Sequence, residues 1–89
     1  MRKDSASIAV RSNLGARIRR LRTERGLSQR VFAEMIAMDR SYLISIEKGR
    51  RNISLDNLAK IAHGLGLPLS DMLREVDSYI YEHINLTEE

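Results

Sequence analysis

Cysteine is absent from this 89-residue chain, so neither a disulfide nor a thiolate-bound metal can stabilise it. Histidine is nearly absent too. His63 and His83 are far apart in the chain and have no cysteine to complete a ligand set, which argues against a metal site. Apolar runs are short: none approaches the roughly 18 residues that would span a bilayer, and no secretory signal is recognisable, so no membrane partner is expected and the expected compartment is the cytoplasm. The alternation of apolar and polar residues that a half-buried strand requires is missing throughout. So is any nucleophile–base pair or phosphate-cradling loop. The acids Asp56, Asp71, Glu75 and Asp77 have no such partner and read as a solvated face and helix-start charges. No catalytic residue, no cofactor and no enzymatic activity are expected.

What is present fits one small domain. Hydrophobic residues make up 43% and charged residues 30%, a globular balance rather than a disordered one. A domain of this size buries only roughly 60–65% of the surface its unfolded chain exposes, so it folds with little stability to spare. The formal net charge of +3 conceals a strong asymmetry. Residues 1–51 hold 13 Lys and Arg against 5 acids, giving +8, whereas residues 52–89 hold 2 against 7, giving −5. One surface suited to a polyanion and another suited to something else is the natural reading.

Breakers at Gly26, 37–39, 49–54 and 66–68 divide the chain, and between them the apolar spacing is helical. Val10, Leu14, Ile18 and Leu21 share one face, as do Phe32, Met35 and Ile36, then Leu43 and Ile46, then Leu55, Leu58, Ile61, Ala62 and Leu65. A fifth stripe runs through Leu69, Leu73, Val76, Ile80 and Ile84. The spacing predicts five helices, at about 8–25, 28–36, 39–48, 54–65 and from about 69. Ser28, Asp39 and Ser54 are N-cap residues by type, Gly26 and Gly66 suit helix ends, and Pro68 suits the first position of a helix. Residues 1–7 and 86–89 are expected to fray. Gly64 inside the fourth helix is expected to cost about 1 kcal/mol relative to Ala. Met35, Met38 and Met72 read as core or near-core residues, and His63 as a surface or half-buried one.

The segment 28–49 places two short helices around a three-residue turn, with the small Ala33 where they approach. Its Leu27-Ser28-Gln29, Phe32-Ala33, Arg40-Ser41-Tyr42-Leu43 and Ile46-Glu47-Lys48-Gly49, in that order, resemble the lambda repressor/Cro-type (XRE) helix-turn-helix family. With the flanking helices the resemblance covers about 60 of 89 residues. Asp39-Arg40-Ser41-Tyr42 and 47–54 are most similar to the small controller proteins of restriction–modification systems. The resemblance implies an all-α, compact five-helix lambda-repressor-like domain over 1–76, binding double-stranded DNA with the third helix in the major groove. Arg40, Ser41, Tyr42 and Ser45 would then face base edges, Arg being suited to a bidentate contact with guanine and Tyr42 to a thymine methyl or a phosphate. Gln29, Arg30, Lys48, Arg50, Arg51 and Asn52 would contact phosphates, with capping of the loop as the alternative for Asn52. Gln29 and Arg30 stand where a helix start favours an anion. Arg22 and Glu47 would form a structural, partly buried ion pair.

Two departures stand out. Ala37 occupies a turn position where the family often has Gly, implying either a strained left-handed Ala or a different turn. Ile44 replaces a small polar residue, and either packs on a neighbour or offers DNA an apolar contact. Family members usually bind as homodimers on inverted repeats, and the acidic half is the natural place for that interface. Leu69, Leu73, Val76, Tyr79, Ile80 and Ile84 are the expected interface residues, the first two also expected to complete the domain core, with 77–89 a C-terminal extension of the fifth helix serving dimerisation. The alternative is that this extension folds back on the first helix. The expected function is a sequence-specific transcriptional regulator. The competing reading is an antitoxin-type module that binds a toxin or other partner protein and represses its own promoter.

Overall fold

The computed structural model describes residues 5–74, 76 and 77. Among these there are five helices and no strand: α1 Ser5–Glu24, α2 Gln29–Met35, α3 Arg40–Glu47, α4 Leu55–Leu65 and α5 Leu69–Met72. Three of the starts are held by side-chain caps. Ser28 Oγ accepts from the Val31 amide at 3.0 Å, Asp39 Oδ2 from Tyr42 at 3.1 Å and Ser54 Oγ from Asn57 at 3.1 Å. The first helix begins earlier than its apolar spacing indicates, since 5–7 are already helical.

Four helix ends use one device. The amide of Leu27, Met38, Arg50 or Leu67 donates to the carbonyl five residues back, closing the last turn over a left-handed residue. That residue is glycine at three ends and Ala37, with φ 54°, at the end of α2. The turn therefore keeps the geometry that glycine would give, and Ala37 carries the strain.

The core gathers Leu14, Ile18 and Leu21 from α1, Phe32, Ala33 and Ile36 from α2 and its end, Leu43 and Ile46 from α3, and Leu58, Ile61, Ala62 and Leu65 from α4. Met72 and Val76 close it from below. Two members of the expected stripes are on the outside instead: Met35 is 55% and Leu55 67% exposed. Each is the terminal residue of its helix, where helical spacing continues but no opposing element covers it. Glycines permit two close crossings. A Cβ at Gly15 would strike the carbonyl oxygens of Ile46 and Glu47, so α1 lies directly on the end of α3. A Cβ at Gly64 would strike Ile36 Cγ2 and crowd Phe32, so this glycine does not interrupt α4 but lets it pack on α2.

The fifth helix departs most from expectation. It ends at Met72 after four residues, and the chain turns at 73–74. Val76 is thereby carried into the core of its own domain, at 5% exposure, rather than onto an outer stripe. Polar groups of α1 hold this turn in place. Arg17 donates twice to the Asp71 carbonyl, at 2.8 and 3.1 Å, and Asn13 Nδ2 donates to the Val76 carbonyl at 3.1 Å. Leu69 is half-buried against the core and Leu73 is exposed, so these three do not share an outer face. The Val76 side chain is thus buried within its own domain and not on an exposed outer face. Tyr79, Ile80 and Ile84, like Glu75, His83 and the rest of 78–89, lie outside the described residues.

Candidate nucleic-acid interface

Capped by Asp39 and closed at Lys48, α3 buries Leu43, Ile46 and Glu47 and turns its other side outward. Arg40 and Ser41 stand exposed on its first turn, and Arg40 makes no hydrogen bond or ion pair among the described residues. Beneath the outward side sits a buried ion pair. Arg22 Nε and Nη2 bind the Glu47 carboxylate at 2.6 and 2.9 Å, while Nη1 donates to the Leu27 carbonyl at 2.7 Å. Both side chains are almost wholly removed from solvent. Fork-to-carboxylate geometry with every oxygen engaged is what makes such burial tolerable. The pair ties α1 and the loop after it to the end of α3, and so fixes how α3 is presented.

On one flank of α3 the expected reading residues are held, not free. Tyr42 is half-buried rather than exposed, and its hydroxyl accepts from Asn57 Nδ2 at 3.2 Å. The Arg51 guanidinium lies over the Tyr42 ring, 5.3 Å from its centroid, and Arg51 Nε reaches Ser45 Oγ at 3.3 Å. Ser45 Oγ in turn donates to the Ser41 carbonyl at 2.9 Å. The other flank is a cleft of about 530 Å³ between α1, the start of α2 and α3. Arg19, Lys48 and Ile44 line it together with Ser28 and Gln29, over a floor made by the Arg22–Glu47 pair. Ile44, half-buried, is therefore a wall of this cleft. Gln29 Nε2 donates to Glu47 Oε1 at 3.0 Å, and Arg30 pairs with Glu34 at 3.3 Å on the surface. Arg50, Arg51 and Asn52 follow α3 and are exposed, and the Asn52 side chain caps nothing among the described residues.

The sequence profile of the helix-turn-helix family matches residues 18–72. The control protein C.MunI of Mycoplasma sp. is 44% identical over 69 residues, covering 76% of this chain and 93% of that protein. The restriction–modification controller protein C.AhdI from Aeromonas hydrophila has a similar crystal structure, with TM-score 0.67 and 41% identity, over 68% of this chain and 92% of that one. The controller protein C.Esp1396I, solved as a tetramer with its natural 35 base-pair operator, matches with TM-score 0.67 and 28% identity, over 75% of this chain and 92% of that one. The chain belongs to the XRE-type helix-turn-helix family. It is a DNA-binding regulator of transcription and not an enzyme. No helix among the described residues is long and apolar enough to cross a membrane.

Two residues beside α3 of this helix-turn-helix regulator escape sequence reasoning. Arg19 has a signal that was there to use: it precedes Arg22 by one turn, so both project from the same side of α1. Asn57 has none, because its contact with Tyr42 spans fifteen residues and two helices. Conversely, two cations of the basic half besides Arg22 are engaged in the fold. Arg17 caps the end of α5, and Arg25 donates to the carbonyls of Leu65 and Leu21.

Proposed function

We propose that this regulator acts as a homodimer on an inverted-repeat operator, with α3 of each protomer in the major groove. The observation that carries the reading is the exposed first turn of α3. The side chains of Arg40 and Ser41 stand unpaired there among the described residues, on a helix whose tilt is fixed by the buried Arg22–Glu47 pair. Arg40 supplies a bidentate donor for guanine, and Ser41, Tyr42 and Ser45 supply the remaining base contacts. Lys48, Arg50, Arg51 and Asn52 neutralise or bond phosphates, which sets register without reading sequence. Gln29 joins them, since its amide has a second hydrogen beyond the one given to Glu47. Arg30 contributes only after loosening its pair with Glu34. Leu73, exposed at the end of α5 beside the half-buried Leu69, marks the described part of the dimer face.

Selection from a random duplex pool at about 150 mM salt tests this, because exposed charge interactions are then substantially screened. The expected product is an inverted repeat with half-site centres about one helical turn apart. Failure of the folded protein to enrich any sequence would contradict the proposal.

A further inference from the structure

Asn57 stands outside the two helices of the motif, on the first turn of α4, and its side-chain Nδ2 donates to the Tyr42 hydroxyl at 3.2 Å. Its backbone is held in turn, since the Asn57 backbone N–H donates to the Ser54 cap at 3.1 Å. An amide nitrogen can only donate, so the bond to Tyr42 occupies a lone pair of the phenol and leaves the phenolic hydrogen unspent. No acceptor among the described residues takes that hydrogen. A phenolic hydrogen lies near the ring plane, on one side of the C–O bond or the other, so a donor on one side directs it to the opposite side. The ring is held as well: it packs against the core, and the Arg51 guanidinium lies 5.3 Å from its centroid. Ser45 is the opposite case. Its hydroxyl hydrogen is spent on the Ser41 and Tyr42 carbonyls, at 2.9 and 3.2 Å, and its oxygen accepts from Arg51 Nε at 3.3 Å. Of these two hydroxyls, that of Tyr42 is the one with a hydrogen left to give.

We propose that Asn57 is a positioning residue for base recognition: by donating to the Tyr42 hydroxyl it makes that hydroxyl a directed hydrogen-bond donor to an acceptor on a base edge in the major groove. The inference rests on the DNA-binding reading above. It deepens that reading by fixing the polarity of one contact and by adding α4 to the elements that set specificity. The groups that fit are O4 of thymine, O6 or N7 of guanine and N7 of adenine. The amino groups of cytosine and adenine do not fit, because two donors would meet. Setting the polarity matters because a phenol without an internal partner both donates and accepts, and so tolerates either kind of group. Without Asn57 the same tyrosine still meets the base but discriminates less.

The test compares the full chain with Tyr42→Phe, Asn57→Ala and the double variant, first in selection from a random duplex pool and then by titration of the enriched duplex. Tyr42→Phe is expected to lower the preference at one base pair of each half-site by about two- to tenfold, the worth of one neutral hydrogen bond. Asn57→Ala should lose part of the preference at that same pair and leave the other positions as they are. Added to Tyr42→Phe it should do nothing more, because the two residues act as a unit. Duplexes with one acceptor at that pair replaced, 7-deazapurine for N7 or a pyrimidine lacking O4, need no variant protein. One such replacement should weaken the wild type by the same factor and leave Tyr42→Phe unaffected. A uniform loss over all sequences in Asn57→Ala would overturn the proposal, since that is what a purely structural residue or a backbone contact gives. So would a further loss on adding Asn57→Ala to Tyr42→Phe, or a wild type indifferent to every acceptor replacement. An unchanged consensus in Tyr42→Phe, with an inverted repeat still enriched by the wild type, would overturn this contact and leave the DNA reading standing. A folded wild type that enriches no sequence would overturn the DNA reading itself, and this inference with it.

Discussion

The two flanks of α3 are built on opposite plans. On the Tyr42 side Tyr42, Ser45 and Arg51 each have a protein partner: Asn57 donates to the tyrosine hydroxyl, and Arg51 spans the ring and the Ser45 hydroxyl. On the Ile44 side the cations Arg19 and Lys48 stand unpaired around an open cleft. The difference fits the two tasks proposed for this helix. Reading a base edge needs side chains held in one geometry before binding, which limits the ordering cost at the interface. Attracting a phosphate needs charge and tolerates loose geometry, so leaving those side chains unpaired is no handicap. Both flanks rest on the same support, the buried Arg22–Glu47 pair.

Breaking the support should therefore have the largest effect. Glu47→Ala leaves the Arg22 guanidinium buried without its counterion and releases Gln29 at the same time. A loss of about 3–5 kcal/mol is expected in chemical denaturation. For a domain this small that approaches the whole stability. A loss below about 1 kcal/mol would show that α3 is held by apolar packing alone, in the range of an exposed pair.

A smaller effect should separate the held flank from simple charge. Arg51→Ala removes a cation and also the contacts that position Tyr42 and Ser45, whereas Arg50→Ala removes only an exposed cation. Both should weaken binding to any duplex. Arg51→Ala alone should also reduce discrimination between base pairs, by about 0.5–1 kcal/mol, the size of an exposed cation–π contact. Identical specificity profiles for the two variants would erase the proposed distinction between the flanks.

The smallest effect should leave both flanks intact. Ala37 holds the left-handed turn before α3 without the freedom that glycine has at the three equivalent helix ends. Ala37→Gly is expected to raise stability by up to about 1 kcal/mol, relief of left-handed strain being partly offset by glycine's entropy in the unfolded chain. DNA affinity should not change. Altered affinity would mean that the strained turn sets the tilt of α3.

Much of this architecture was legible because it is locally encoded. Ser28, Asp39 and Ser54 cap the helices at which their chemistry placed them, and the heptad-like spacing within α1 and α4 identifies their core faces. Periodicity misled where a helix stops. Met35 and Leu55 keep the spacing but have nothing opposite them, and the stripe from Leu69 onward reads as one long helix because its apolar steps do not reveal the turn after Met72. That turn depends on Arg17 and Asn13 reaching carbonyls more than fifty residues away, which no local pattern encodes. Gly64 shows the same limit from the other side. Its local cost in a helix is real, yet the space it leaves is filled by Ile36 and Phe32 from another element. Within the site, the residue types at 40–42 and 48–52 announce their chemistry, whereas the division of α3 into a held and an open flank depends on Asn57 and Arg19, which lie on other helices.

The most direct measurement is to repeat the random-duplex selection with Arg40→Ala beside the wild type. If α3 reads bases through its exposed first turn, the wild type enriches an inverted repeat. The variant then loses preference at one base pair in each half-site, a change of about 1–3 kcal/mol in discrimination, while the other positions persist. An unchanged consensus from Arg40→Ala would contradict the assignment of α3 as the reading element.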